Sequence, residues 1–113
     1  VAYHDYAQVT SDEEECERLG ADIEDKYLMI MRNHGLLGCG RTAAEAFHYL
    51  YYLEMSCKIQ VDILASGQEY IVPDDDAVAG LAKSGAPGDV PKGDRAWPGL
   101  VRGLDRTDPS YRD

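Results

Sequence analysis

Asn33-His34-Gly35 is the part of this chain whose residue types and spacing best suit chemistry. An imidazole can ligate a divalent metal, and a catalytic zinc usually keeps three protein ligands and one open position. His34 follows the apolar run 27–32 (Tyr-Leu-Met-Ile-Met-Arg) and precedes Leu36, Leu37, Gly38 and Gly40. A strand, a histidine, a tight turn and then a helix would set the ring at the mouth of a sheet, where α/β folds keep their ligands. Asn33 and Gly35 could position that ring or donate hydrogen bonds to substrate oxygens. The other histidines are weaker candidates. His4 lies in Tyr3-His4-Asp5-Tyr6, and Asp5 cannot orient it because neighbours on a strand point to opposite faces. It reads as an exposed or interface histidine. His48 sits beside Tyr49, Tyr51 and Tyr52 and reads as a packing residue. The three tyrosines cannot all face one core, so some are expected at a subunit contact.

The elements that must hold His34 follow from capping and periodicity. Residues 11–25 read as a helix: Ser11 and Glu14 form a capping box, and Asp12, Glu13, Glu14 and Glu15 fill the first turn, where the dipole favours acids. Cys16, Leu19 and Ile23 form its thin apolar stripe. Residues 27–32 read as a strand covered on both faces, and residues 1–9 have weaker strand character. Gly35, Gly38 and Gly40 read as a turn, without the Gly-x-Gly-x-x-Gly order of a dinucleotide loop. Residues 42–66 form the clearest element, with Thr42 and Glu45 as a second capping box and Gly67 as the stop. One face carries Ala43, Ala46, Phe47, Leu50, Leu53, Cys57, Val61 and Leu64, and another Tyr49, Tyr52, Ile59 and Ile63. A helix apolar around so much of its circumference is buried on more than one side. In 113 residues, the second cover is expected from another subunit or from further sequence.

After Val72 the composition changes. All five prolines lie at 73 or beyond, with six of the eleven glycines. Asp74-Asp75-Asp76 and residues 83–94 read as charged linker. Residues 95–106 could form a short docking helix anchored by Trp97, Leu100, Val101 and Leu104, with Pro98 in its first turn. The chain therefore divides at about residue 72 into a head, 1–72, and a linker with docking tail, 73–113.

The formal net charge is −10, and residues 1–82 carry 16 acidic side chains against 5 basic. That excess disfavours nucleic acid and anionic membrane surfaces. No run reaches the roughly 18 apolar residues of a membrane span, and residues 1–15 lack a basic start followed by an apolar block. Cytoplasm is the expected compartment. Cys16, Cys39 and Cys57 match no zinc spacing and are expected as reduced, packing thiols.

The motifs Arg-Asn-His-Gly-Leu-Leu (32–37), Gly-Arg-Thr-x-x-Glu-Ala-Phe (40–47) and Tyr-Tyr-Leu-Glu (51–54) together resemble the C-terminal half of the class II aldolase/adducin head domain. The likeness covers residues 1 to about 72. The segment from Trp97 to Asp113 resembles the tail of the bacterial adducin-like branch. The resemblance implies an α/β fold, a three-layer α/β/α sandwich with a largely antiparallel or mixed sheet. It makes His34 one of three histidines that hold a divalent metal, usually zinc, and makes Asn33 and Gly35 substrate-binding. It implies a metal-dependent lyase that cleaves a carbon–carbon bond in a small hydroxy-carbonyl or sugar-derived substrate. Alternatively, it implies a non-catalytic oligomerisation module like the adducins. It also implies a homo-oligomer, a tetramer in the aldolases. The family's other two metal histidines come from an upstream His-x-His, and an upstream acidic residue serves as its acid/base. No His-x-His occurs in these 113 residues, so the fragment alone is expected to be inactive. Gly38 stands where the resemblance leads one to expect a threonine or β-branched residue.

Overall fold

The computed structural model describes residues 1–6 and 11–112. Its elements are β1 (Ala2–His4), α1 (Asp12–Ile23), β2 (Leu28–Met31), β3 (Gly35–Gly38), α2 (Ala43–Ser66), α3 (Asp75–Gly85) and α4 (Trp97–Thr107), closed by a 3₁₀ turn at Pro109–Arg112. The sheet is mixed, in the order β1-β2-β3. β1 pairs with β2 in parallel, and β2 pairs antiparallel with β3 through the register Leu28↔Gly38 to Met31↔Gly35.

The sheet is sandwiched. His4 and its register partner Met31 share one face with Ala2 and Met29, and the His4 ring is bonded from α1. Gly38 and its partner Leu28 belong to the opposite face by strand alternation. There a Cβ on Gly38 would meet Leu50 of α2 at 2.9 Å. Helices on both sides of the sheet make the expected α/β/α layering. The core is small: Met29 is fully enclosed, and Ala2 of β1 and Ala44, Tyr49 and Leu53 of α2 are the other buried apolar residues among those described.

Both expected caps form. Ser11 Oγ accepts the Glu14 N–H at 3.2 Å, and Thr42 Oγ1 accepts the Glu45 N–H at 3.1 Å. Each satisfies a helix-end donor that has no intrahelical partner. Gly67 closes α2 in the left-handed conformation, φ 67°, as its position suggests. α1 stops at Ile23, two residues short of expectation, because Glu24 turns to a positive φ of 47°.

The expectations for the strands, the glycines and the acidic run need correction. The strand expected over 1–9 spans only Ala2–His4 among the described residues, and residues 7–10 lie outside them. Residues 35–38 are a strand rather than a turn, because the chain reverses one step earlier, at 32–34. Glycines 38 and 40 serve close approach. A Cβ at Gly40 would lie 2.4 Å from the Ala46 nitrogen, and Gly38 faces the Leu50 Cβ, which leaves no room for the expected β-branched residue. Asp74 to Asp76 start a helix: Asp74 Oδ1 accepts the Ala77 N–H at 2.8 Å and α3 runs on to Gly85. Asp75 and Asp76 sit where a helix dipole favours acids.

The tail lies against α2. Trp97 meets Phe47 edge-on with ring centroids 5.8 Å apart, and Gly93, at φ 87°, passes so close to α2 that a Cβ would lie 2.3 Å from the Ala44 carbonyl oxygen. Cys39 and Cys57 are half-buried and all three thiols are free, but Cys16 is exposed rather than packed. Among the described residues no helix is long and apolar enough to cross a membrane.

Candidate functional site

Arg32, Asn33 and His34 form the hairpin turn between β2 and β3. The His34 N–H donates to the Met31 carbonyl at 3.1 Å, the bond that closes a four-residue turn. Asn33, third in that turn, has φ 59°. Such a position favours glycine, and asparagine tolerates it better than most residues. The local sequence therefore dictates a tight reversal, and His34 emerges from it exposed.

The base of the turn is tied to β1. The Arg32 N–H donates to the His4 carbonyl at 2.9 Å, continuing the parallel ladder by one bond. The Arg32 guanidinium pairs with the Asp5 carboxylate and lies 5.0 Å from the centre of the Tyr3 ring. An apolar groove of 450 Å³ opens beside the turn, with Gly35, Leu36, Phe47, Leu50 and Tyr51 among its lining residues. Asn33, His34 and Gly35 are thus brought together at one exposed corner of the sheet.

A metal at that corner needs ligands from elsewhere. Among the described residues no cluster of three or more His, Cys, Asp or Glu side chains could hold an ion. His34 can supply one imidazole, which fits one position of a three-ligand site and does not make a site alone.

Two polar clusters escaped the reading of the sequence. His4 is 3% exposed rather than a surface residue, and α1 supplies its partners. Nδ1 lies 2.7 Å from Asp22 and Nε2 2.9 Å from Glu15. Hydrogen bonds to Glu15 and then Asp22 hold its pKa above the ordinary 6.5, against the opposing effect of burial. The seven-residue spacing of Glu15 and Asp22, which places them on one face of α1, was the available signal. The second cluster surrounds Glu45, whose carboxylate is fully enclosed. It accepts from the Arg41 guanidinium at 2.9 and 3.0 Å, from the Arg41 N–H at 2.9 Å and from the Lys92 N–H at 3.1 Å. The guanidinium first, and the Arg41 N–H next, hold its pKa down at about 2.

His48 packs between Tyr52 and Tyr49, with ring centroids 4.8 and 5.7 Å away, as expected of a packing residue. The tyrosines divide as argued: Tyr49 is buried, while Tyr51 and Tyr52 stay 50% and 57% exposed. Burial raises the Tyr49 pKa, and its hydroxyl has no hydrogen-bond partner among the described residues.

With this geometry in hand, comparison with known proteins defines the class. The family model described as the class II aldolase and adducin N-terminal domain matches residues 1–61, and the chain belongs to that family. Over 122 aligned positions it is 40% identical to an aldolase class 2-type protein of Caulobacter vibrioides, covering 100% of this chain and 44% of that one. It is 45% identical over 67 residues to alpha-adducin of Rattus norvegicus, covering 58% of this chain and 9% of the adducin. The crystal structure of an aldolase II superfamily protein from Pseudomonas syringae superposes with a TM-score of 0.83 at 39% identity, covering 99% of this chain and 45% of that one. The chain therefore spans less than half the length of these full-length bacterial relatives, and the shared fold includes its tail.

Proposed function

We propose that His34 is one ligand of a divalent metal, zinc by preference, in an aldolase-type lyase site whose remaining ligands lie outside these 113 residues. The observation that carries this reading is the exposed His34 imidazole on a tight Asn33-centred turn beside an apolar groove, in a chain of the class II aldolase/adducin family. Asn33 and Gly35 flank the imidazole and would contact substrate oxygens. When bound, the metal would polarise a carbonyl oxygen of a small hydroxy-carbonyl or sugar-derived substrate. This chain's own part would be to hold the His34 ring and, through Leu36 and Phe47, to exclude water from the groove. A cytoplasmic location accompanies the reading.

The adducin likeness supports a second reading, a non-catalytic interaction module. Alpha-adducin matches at 45% identity over 67 residues, 58% of this chain, so the likeness is not confined to the aldolase-named relatives. Both readings include a homo-oligomer, a tetramer by analogy with the aldolases. In support, the chain exposes 8969 Å², whereas a compact 12.5 kDa monomer exposes about 6,200 Å².

The test uses a chain extended to the length of its bacterial relatives. It should hold stoichiometric zinc by atomic absorption, His34→Ala should abolish that zinc, and the 113-residue chain alone should bind little. Tight zinc binding that survives His34→Ala would overturn the ligand assignment. Stoichiometric zinc without cleavage of any hydroxy-carbonyl compound would favour the interaction module.

A further inference from the structure

His4 is the one histidine sealed from solvent, and both of its ring nitrogens face carboxylates from α1. A carboxylate only accepts, and a neutral imidazole has a single N–H to give. The two bonds, at 2.7 and 2.9 Å, therefore exist together only when both nitrogens carry protons. Glu15 is kept ionised by His4 itself and by Arg18, whose Nη1 donates to it at 2.6 Å.

The other charged groups nearby do not substitute for that proton. From α1 the ring faces Glu15 and Asp22, with Arg18 behind Glu15 and also donating to the Asp5 carbonyl at 2.9 Å. Just past β1, Asp5 is engaged with Arg32. From β2, the register partner Met31 carries no charge, and Arg32 reaches His4 only through its main-chain N–H.

α1 packs on β1 through a partly covered face. No side chain on it is fully buried, and Leu19 and Ile23 are only half covered. Among the described residues, the His4 ring and the Arg18 bond to Asp5 are polar ties between α1 and the β1 segment.

We propose that His4 is a proton-operated clamp that holds α1 against the sheet edge and releases it as pH rises. The sign follows from linkage. Between pH 6.5 and the higher value in the folded chain, the native state holds a proton that the unfolded state has lost. The clamp's contribution is complete below pH 6.5 and disappears as pH rises through the folded-state value. Loss of the proton leaves a carboxylate, on Glu15 or Asp22 (32% and 42% exposed), against a nitrogen lone pair of the buried ring, and α1 opens locally.

The test is amide exchange by mass spectrometry across pH, corrected for intrinsic rates, together with an NMR titration of the His4 ring in the full chain. Peptides covering 1–6 and 12–23 should lose protection above neutral pH, while the 44–53 stretch of α2 keeps its own. His4 should titrate above 6.5, and Glu15→Gln and Asp22→Asn should each lower its midpoint. His4→Gln, which keeps one donor and no charge, should abolish the pH dependence of α1 protection. A His4 midpoint at or below 6.5, or the same pH dependence in His4→Gln as in the parent, would overturn the proposal. If His4→Gln does not fold, the parent titration and the Glu15→Gln shift decide it.

Discussion

The Glu45 carboxylate accepts the Lys92 main-chain N–H at 3.1 Å, a bond that spans 47 positions and ties the tail to the start of α2. The same carboxylate holds Arg41, and Arg41 Nη2 donates on to the Gly88 carbonyl at 2.9 Å. One enclosed carboxylate thus fastens residues 88–92 to the helix behind the His34 turn. Its partners are almost all N–H donors, which explains why it stays ionised in an enclosed place.

Acid should loosen this junction. The Glu45 pKa is lowered to about 2 from an ordinary 4.5, so the carboxylate favours the folded state above pH 4.5, and that contribution is lost as pH falls from 4.5 through about 2. Glu45→Gln should remove that part of the acid dependence and expose residues 88–97 to protease at neutral pH. Unchanged protease resistance of the tail would show that Trp97 and Gly93 hold it without the carboxylate.

Glycines 40 and 35 should respond in opposite ways to an added methyl. A Cβ at Gly40 would sit 2.4 Å from the Ala46 nitrogen and 2.8 Å from the Glu45 carbonyl carbon, and backbone cannot step aside. Gly40→Ala should destabilise by roughly 1–3 kcal/mol. Gly35 has nothing within 4 Å of its Cβ position and no positive φ, so Gly35→Ala should be close to neutral. Urea denaturation of both variants reads the difference.

What could be read in the sequence depended on whether the cause was local. α2 was legible because Thr42, Glu45 and Gly67 are punctuation that acts within four residues. The His34 turn was legible as a reversal, but its partner strand was not: Gly35-Leu-Leu-Gly38 has glycine at both ends and too few residues for an alternation to show. α3 was hidden because three consecutive acids, Asp74 to Asp76, read as a solvated linker, whereas they cap and open a helix. The burial of His4 was harder to read for another reason. Its partners Glu15 and Asp22 lie on a different element, and strand alternation says nothing about what covers the face.

Asn33 should be replaceable by glycine and by little else. Its φ of 59° costs an ordinary L-residue about 1–2 kcal/mol. Asn33→Ala should destabilise by about that much, and Asn33→Gly should recover most of the loss. In a chain long enough to carry the other proposed ligands, zinc affinity measured by competition with a chelator separates two roles. If Asn33 only shapes the turn, Asn33→Gly retains parent-like metal affinity and substrate KM. If its side chain also contacts substrate, KM rises while zinc affinity does not change.

The outer face of α2 should mediate self-association. Tyr52, Ile59 and Ile63 are 57%, 54% and 41% exposed, and their spacings of seven and four put them on one side of the helix. Val61 and Leu64, 63% and 55% exposed, continue the apolar surface around it. So many large apolar side chains exposed on one helix form a sticky surface that suits an interface. Ile59→Glu should change the stability of the isolated fold by no more than about 0.5 kcal/mol, as for other exposed sites. In the assembly it would bury an unpaired charge, and the expected loss is about tenfold or more in association constant. Sedimentation velocity at micromolar concentration should give the parent a mass well above 12.5 kDa and shift Ile59→Glu toward that value. A parent chain that sediments as a 12.5 kDa monomer and melts cooperatively would defeat the prediction, because the exposed face would then need no cover.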